Sequence, residues 1–294
     1  RQMCIRDRST DISKAFLQGV TYKELAEMTG EPLRDVCFVL PANSISALKQ
    51  LPGYSDFNPA LEVLHCLKPG TGSVDAPRAF HLKLAQVTRQ KCNLVPTRTD
   101  DELLVLHRKP TSNVVQVRSD EDGELVAVVS IHVDDLKMTG HKDVILWLVQ
   151  HLEAAFGKLI LQWNKFTNCG IRHVQDPVTY AITMDQIEYA AALKQIAHPS
   201  IKGAGLETVV PLELFEQFRS LRGAVAYCLL TRADISVYVV YLQRQQETTT
   251  NYRHIKMLNC LVKRLQTHPL SLHFGHLGAR TSFLVLTDAA FKKE

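Results

Sequence analysis

Apolar and polar positions are most clearly ordered in two runs of the chain, "ELLVLHR" (102–108) and "LVAVVSIHV" (125–133). Short runs rich in β-branched and apolar residues predict strands, and the polar "RSDEDGE" between them predicts a hairpin-like pair. The spacing then turns helical in "VILWLVQHLEAAFG", predicting an amphipathic helix stopped by Gly157. "APRAFHLKLAQVTRQ" (76–90) has the same spacing, with Pro77 tolerated in the first turn. "VCFVLP" predicts a short strand closed by Pro41, and "DISKAFLQG" a strand running into a loop. "TYAITMDQIEYAAALKQIA" predicts a strand followed by a helix. "LFEQFRSLRGAVAYCLLT" and "NYRHIKMLNCLVKRLQTH" predict two long helices, with the Pro- and Gly-broken segment 198–213 ahead of them as a linker. Mixed strands and helices followed mostly by helices imply an α+β fold.

Composition narrows the setting. A chain of 294 residues, 46% of them hydrophobic, can bury a sizeable core as one large domain or two smaller ones. No apolar window approaches the roughly 18 residues of a membrane-spanning helix. "RQMCIRDRST" lacks the apolar segment of a signal peptide, so an intracellular setting is expected, without choosing between cytoplasmic particles and the nucleus. Seven scattered cysteines, none in a C-x-x-C pair, predict reduced core thiols rather than a disulfide framework. "CGIRH" (169–173) lacks the second ligand pair of a zinc site. The net charge of +4 is compatible with a polyanionic partner and does not require one.

One stretch resists a purely structural reading. In "VAVVSIHVDDLKMTG" an apolar run leads directly into two adjacent carboxylates, Asp134 and Asp135. Neighbouring anions at a buried strand end repel and lose hydration unless a cation compensates them. Hard divalent cations take oxygen ligands of this kind. Taken alone, the pair reads as a solvated turn, and Phe16 as a core aromatic. The order of the surrounding motifs changes that weighting.

"HVDDLKMTG" resembles the Tyr-Val-Asp-Asp hairpin of reverse transcriptases. Upstream, "TDISKAFLQG" is similar to the first catalytic motif of copia-type retrotransposon polymerases, and "LKPGTGSVDAPRAFHLKL" to their Gly-Leu-Lys-Gln-Ala-Pro-Arg loop and helix. Downstream, "FTNCGI" stands in the place of a Phe-Leu-Gly-Ile strand, and "ITMDQIEYAAAL" in that of a strand and Gln-x-x-Tyr helix. "FRSLRGAVAYCLLTRADIS" resembles a Tyr-Arg-x-x-x-Gly segment with its Thr-Arg-Pro-Asp-Ile tail, and "LTDAAF" the opening strand of RNase H. The likeness runs in family order over roughly residues 9–294. His132 stands in place of a tyrosine, Asp75 in place of a glutamine and Ala233 in place of a proline.

The resemblance implies a polymerase palm with partial fingers over 9–197, a linker at 198–213, a helical thumb- or connection-like region over 214–280, and a truncated RNase H start over 281–294. Residues 1–8 read as a foreign or disordered N-terminus. It further implies RNA-directed DNA polymerisation with two Mg2+ ions, or Mn2+, held by Asp11, Asp134 and Asp135. Asp11 is expected to end a strand beside the 126–133 strand. Phe16 takes the position of the deoxynucleotide sugar gate, and Asp75 lies near the incoming nucleotide. Lys68, Arg78 and Lys83 are expected along the path of RNA template and DNA primer. Asp288 takes the position of the first RNase H ligand. Further partners would be deoxynucleoside triphosphates and the rest of a Pol polyprotein (protease, integrase and RNase H). With most of the fingers expected upstream, residues 1–294 alone should extend a primer weakly or not at all. Two other readings stay open: a decayed or repurposed element that binds nucleic acid without catalysis, and a metal-dependent nuclease on the same carboxylates.

Overall fold

The computed structural model describes residues 6–108 and 123–275. The chain is mixed α and β with antiparallel sheets, and divides into two compact units between Trp163 and Asn164.

The first unit opens with β1 (Arg6–Asp11) and a single 3-10 turn (Ala15–Leu17), followed by α1 (Tyr22–Thr29). Thr21 and Glu24 form a reciprocal capping box at the start of α1, satisfying two amides that the helix cannot pair itself. Then come β2 (Cys37–Phe38), α2 (Ala42–Leu48), β3 (Leu64–His65) and α3 (Ala76–Ala85), which continues as a π-helical turn through Lys91. β4 (Val95–Pro96), β5 (Leu103–Arg108), β6 (Glu124–His132) and β7 (Asp135–Gly140) lead to α4 (Lys142–Phe156) and β8 (Ile160–Trp163). Gly157 ends α4 at a φ of 81°, a backbone conformation that other residues adopt with difficulty. The helix stop predicted there is the one observed.

Six strands form one sheet in the order β4-β5-β6-β7-β1-β8, every pair antiparallel. Period-two alternation places Leu104, Leu106, Ala127, Val129, Leu136 and Met138 in one buried layer. Phe80 and Leu84 of α3 and Ile145, Leu148 and Leu152 of α4 close over that layer, with the Phe80 and Phe156 rings 5.8 Å apart. Burying a side chain the size of Phe80 contributes about 1.5–3 kcal/mol. Residues 6–8, expected as foreign or disordered, are continuous with β1, whose register runs from Arg6↔Gly140 to Asp11↔Asp135. Their pairing is made by backbone, so the absence of apolar residues does not prevent it.

The second unit has β9 (Lys165–Asn168), β10 (Ile171–Gln175), β11 (Ile182–Asp185), α5 (Ile187–Ala192), α6 (Ser200–Gly203), α7 (Leu212–Tyr227), α8 (Ser236–Gln243), α9 (Tyr252–Thr267) and β12 (Leu272–Phe274). Its sheet order is β12-β11-β10-β9. Leu214, Phe218 and Val225 of α7 meet Val239 and Leu242 of α8 and Ile255, Leu258 and Val262 of α9 in a second core. Segment 198–213, expected as a linker, lies inside this unit. Val210 is buried and donates to the Thr250 carbonyl, while Thr208 and Leu206 accept from Tyr252 and Arg253. Its Pro and Gly residues shape a packed turn rather than a hinge between bodies. The helices expected as a separate region share the unit with β9–β12. The run 281–294, with Asp288, lies outside the described residues.

The described cysteines are all free, but only Cys92 and Cys228 are buried; Cys37 and Cys260 are exposed, correcting the expectation of core thiols throughout. Among the described residues, no helix is long and apolar enough to cross a membrane.

The start of α9 makes stability pH-sensitive. Asn251 caps the helix by accepting from His254 N–H, and the His254 Nδ1 in turn accepts from the Asn251 amide at 3.1 Å. Burial is the largest influence on the ring and holds its pKa below the ordinary value; Arg253 adds to this and Glu207 opposes it. Protonation also removes the lone pair that closes the cap. The unfolded chain therefore binds the proton more readily than the folded one, and stability falls as pH drops below about 6.5. Melting followed by helical circular dichroism should be flat above that pH and decline toward pH 5, before ordinary carboxylates titrate. A decline of equal steepness in His254→Gln would remove the assignment.

Candidate active site

The site is built on one hairpin and the strand beside it. β6 and β7 are joined by only two residues, Val133 and Asp134, with His132 paired to Asp135 across the turn. Val133 holds a φ of 58°. A β-branched residue in that region is strained, at a cost of about 1–3 kcal/mol. The turn therefore has a fixed form that local preference would not select. Asp134 and Asp135 are half-buried there rather than freely solvated.

Asp11 is the direct register partner of Asp135 across the β1–β7 ladder. Residues directly opposite in an antiparallel pair have Cα atoms about 4.5–5.5 Å apart. Asp11, Asp135 and His132 thus occupy one row across three neighbouring strands, with Asp134 one residue away in the turn. β1 does not lie beside the 126–133 strand, as expected, because β5 and β7 occupy both edges of β6. β1 joins the outer edge of β7 instead. This arrangement sets Asp11 opposite Asp135 rather than beside the strand that precedes both aspartates.

Immediately after Asp11 the chain turns under α3. Gly19 approaches α3 so closely that a Cβ would lie 2.9 Å from the Ala79 carbonyl carbon and the Phe80 nitrogen. Val20 N–H donates to the Ala79 carbonyl at 3.2 Å. Phe16 is half-buried with its ring edge-on to Phe80, centroids 6.4 Å apart. Residues of "AFLQG" and "APRAF", some sixty positions apart, therefore pack directly together.

The predicted cations face carboxylates of their own unit. Arg78 donates through one nitrogen to both Glu31 oxygens, at 2.8 and 3.0 Å. Asp75, at the start of α3, forms an ion pair with Arg34. The Glu24 carboxyl is held below its ordinary pKa, first by the Thr21 amide and hydroxyl, with Lys83 and Lys68 adding attraction. Lys68 is exposed and Lys83 half-buried. Glu24, Glu31 and Arg34 were not singled out from the sequence. The "TYKE" capping signature was the available signal for Glu24; the other two lie in a loop without a pattern.

In the second unit the remaining motifs pack on one another. Tyr227 donates to the Cys169 carbonyl, and its ring lies 5.2 Å from that of Tyr189. Buried Thr231 donates to Gln186 at 3.1 Å, while buried Arg232 grips both Asp234 oxygens at 2.8 and 3.0 Å. His173 stacks on Phe166 at 4.9 Å. These residues order the unit rather than present chemistry.

Three aspartates drawn together by register and turn suit a hard divalent cation, because carboxylate oxygens are its preferred donors and two adjacent anions need compensation. Among the described residues no ready-made group of three His, Cys, Asp or Glu side chains holds a metal, and Asp11 enters the site here through its backbone position. No family model and no curated protein matches the chain.

Proposed function

We propose that the first unit is the palm of an RNA-directed DNA polymerase of the copia-type retrotransposon class, and the second its thumb- or connection-like continuation. The observation that carries this reading is the Asp11↔Asp135 register at a two-residue turn containing Asp134. The contact between "AFLQG" and "APRAF" supports it independently.

In this reading Asp11, Asp134 and Asp135 would hold two Mg2+ ions, which supply charge neutralisation for attack of a primer 3′-hydroxyl and departure of pyrophosphate. The chain's own work is positioning. The sheet fixes Asp11 opposite Asp135, and the strained turn presents Asp134 beside it. Phe16, braced by Phe80, borders the sugar position, where a ring excludes a 2′-hydroxyl. Arg78 would exchange Glu31 for a nucleic-acid phosphate, and Lys68 and Lys83 would add further phosphate contacts, which orient the duplex without reading sequence.

Product analysis tests the proposal. In Mg2+, the chain extended by its upstream polymerase sequence should add deoxynucleotides to an oligo(dT) primer on poly(rA). Cleavage without extension would support the nuclease reading. Binding without either would support the decayed or repurposed reading, which is favoured by one observation, the capture of Arg34 by the atypical Asp75. Phe16→Ala should admit ribonucleotides with a smaller loss of deoxynucleotide incorporation. An unchanged sugar preference would remove Phe16 from the gate.

A further inference from the structure

The second unit contains a cleft of about 560 Å³ that the polymerase reading leaves without a role. Its wall is one face of α9, where Arg253, Lys256, Met257, Cys260 and Arg264 recur at helical spacing. Leu206 and Tyr238, 44% and 51% exposed, supply apolar surface that folding leaves uncovered. The volume falls in the range of small-molecule sites, which are mostly apolar with a few placed polar groups.

The charges select the occupant. Arg253 is paired with Glu207, and Arg264 lies 3.6 Å from Asp234, which Arg232 also grips. Lys256 is exposed and has no hydrogen-bond or ion-pair partner among the described residues. Of the three cations lining the cleft, only Lys256 lacks a carboxylate partner among the described residues, so its charge stands open above an apolar floor. A polyphosphate or nucleic-acid strand would need several open cations in a row, and Arg253 and Arg264 are already engaged by Glu207 and Asp234. A single anionic group on an apolar body needs only Lys256. We propose that this cleft binds a small amphipathic monoanion, an aliphatic or aromatic carboxylate, with its charged head at Lys256 and its body against Tyr238, Met257 and Leu206.

The probe is 8-anilinonaphthalene-1-sulfonate, with neutral N-phenyl-1-naphthylamine as its uncharged counterpart, titrated into residues 1–294 at neutral pH. Both should bind saturably, and decanoate should displace them. Lys256→Glu should weaken the sulfonate about tenfold or more while leaving the neutral dye within about twofold, because only the head group loses its partner. Lys165→Glu, on β9 and outside the cleft lining, should change neither. Leu206→Asp should weaken both dyes. Alkylation of Cys260 should slow when decanoate is present. The proposal is overturned if the folded chain shows no saturable site, or if Lys256→Glu and Lys165→Glu behave alike. It is equally overturned if a single-stranded oligonucleotide displaces the dye better than decanoate does. None of these readouts requires polymerisation, so failure here leaves the first proposal standing.

Discussion

Asp134→Asn, in the chain extended upstream to include the fingers, is expected to lower primer extension by about three orders of magnitude, equivalent to about 4 kcal/mol of barrier. The substitution keeps shape and most hydrogen bonding while removing the negative charge that a hard cation requires. Asp134 occupies the second position of the two-residue turn, so backbone geometry should survive. A second readout separates chemistry from folding. Mn2+ binding by residues 1–294, followed by electron paramagnetic resonance, should weaken at least about tenfold while the melting temperature stays near that of the parent. Extension within about tenfold of the parent would mean that Asp134 ligates nothing essential.

Gly140→Ala is expected to destabilise the first unit by about 3 kcal/mol, at the upper end for overpacking. A Cβ at this position would stand 2.3 Å from the Val126 carbonyl oxygen and 2.8 Å from the Ala127 Cα, both backbone atoms. Neither can rotate aside, so β6 and β7 must separate at the end of the ladder opposite the aspartates. Both tryptophans, Trp147 and Trp163, belong to the first unit, so fluorescence-monitored urea unfolding reports on it selectively. Gly70→Ala, in the same unit, is the control, since a Cβ there meets only Leu17 at an ordinary 3.6 Å. Equal midpoints for the two variants would show that the hairpin tolerates an opening the geometry forbids.

Legibility of the fold followed the visibility of apolar periodicity. β5, β6 and α4 were readable because their buried positions are Leu, Val, Ala and Ile at the spacing each element requires. β1 was obscured because its buried residues are Ser9 and Thr10, which read as surface positions. β10 concealed itself similarly, with His173 and Gln175 buried. α8, "SVYVVYLQ", carries strand-favouring residues yet is helical, so its packing on α7 and α9 overrides local preference. At the site, the Asp134–Asp135 pair and the Asp11 spacing were available from motif order. The ladder joining them was not, because strand neighbours far apart in sequence leave no local trace. Nor could motif order reveal that Arg78 and Asp75 already have charged partners in Glu31 and Arg34.

The position of β1 between β7 and β8 imposes a schedule on biosynthesis. This strand, complete at Asp11, leaves the ribosome well ahead of its second partner, which is complete only at Trp163. At about 5–20 residues per second, that wait is on the order of ten seconds or longer. Until β7 is complete at Gly140 both edges of β1 are unfilled, and the β8 edge stays open for longer still in a nascent chain crowded by its neighbours. A run of Val and Ile would make such a segment a template for aggregation, whereas "RDRSTD" is charged and hydroxylated. The polarity that hid β1 as a strand also keeps it soluble until the sheet is ready to receive it.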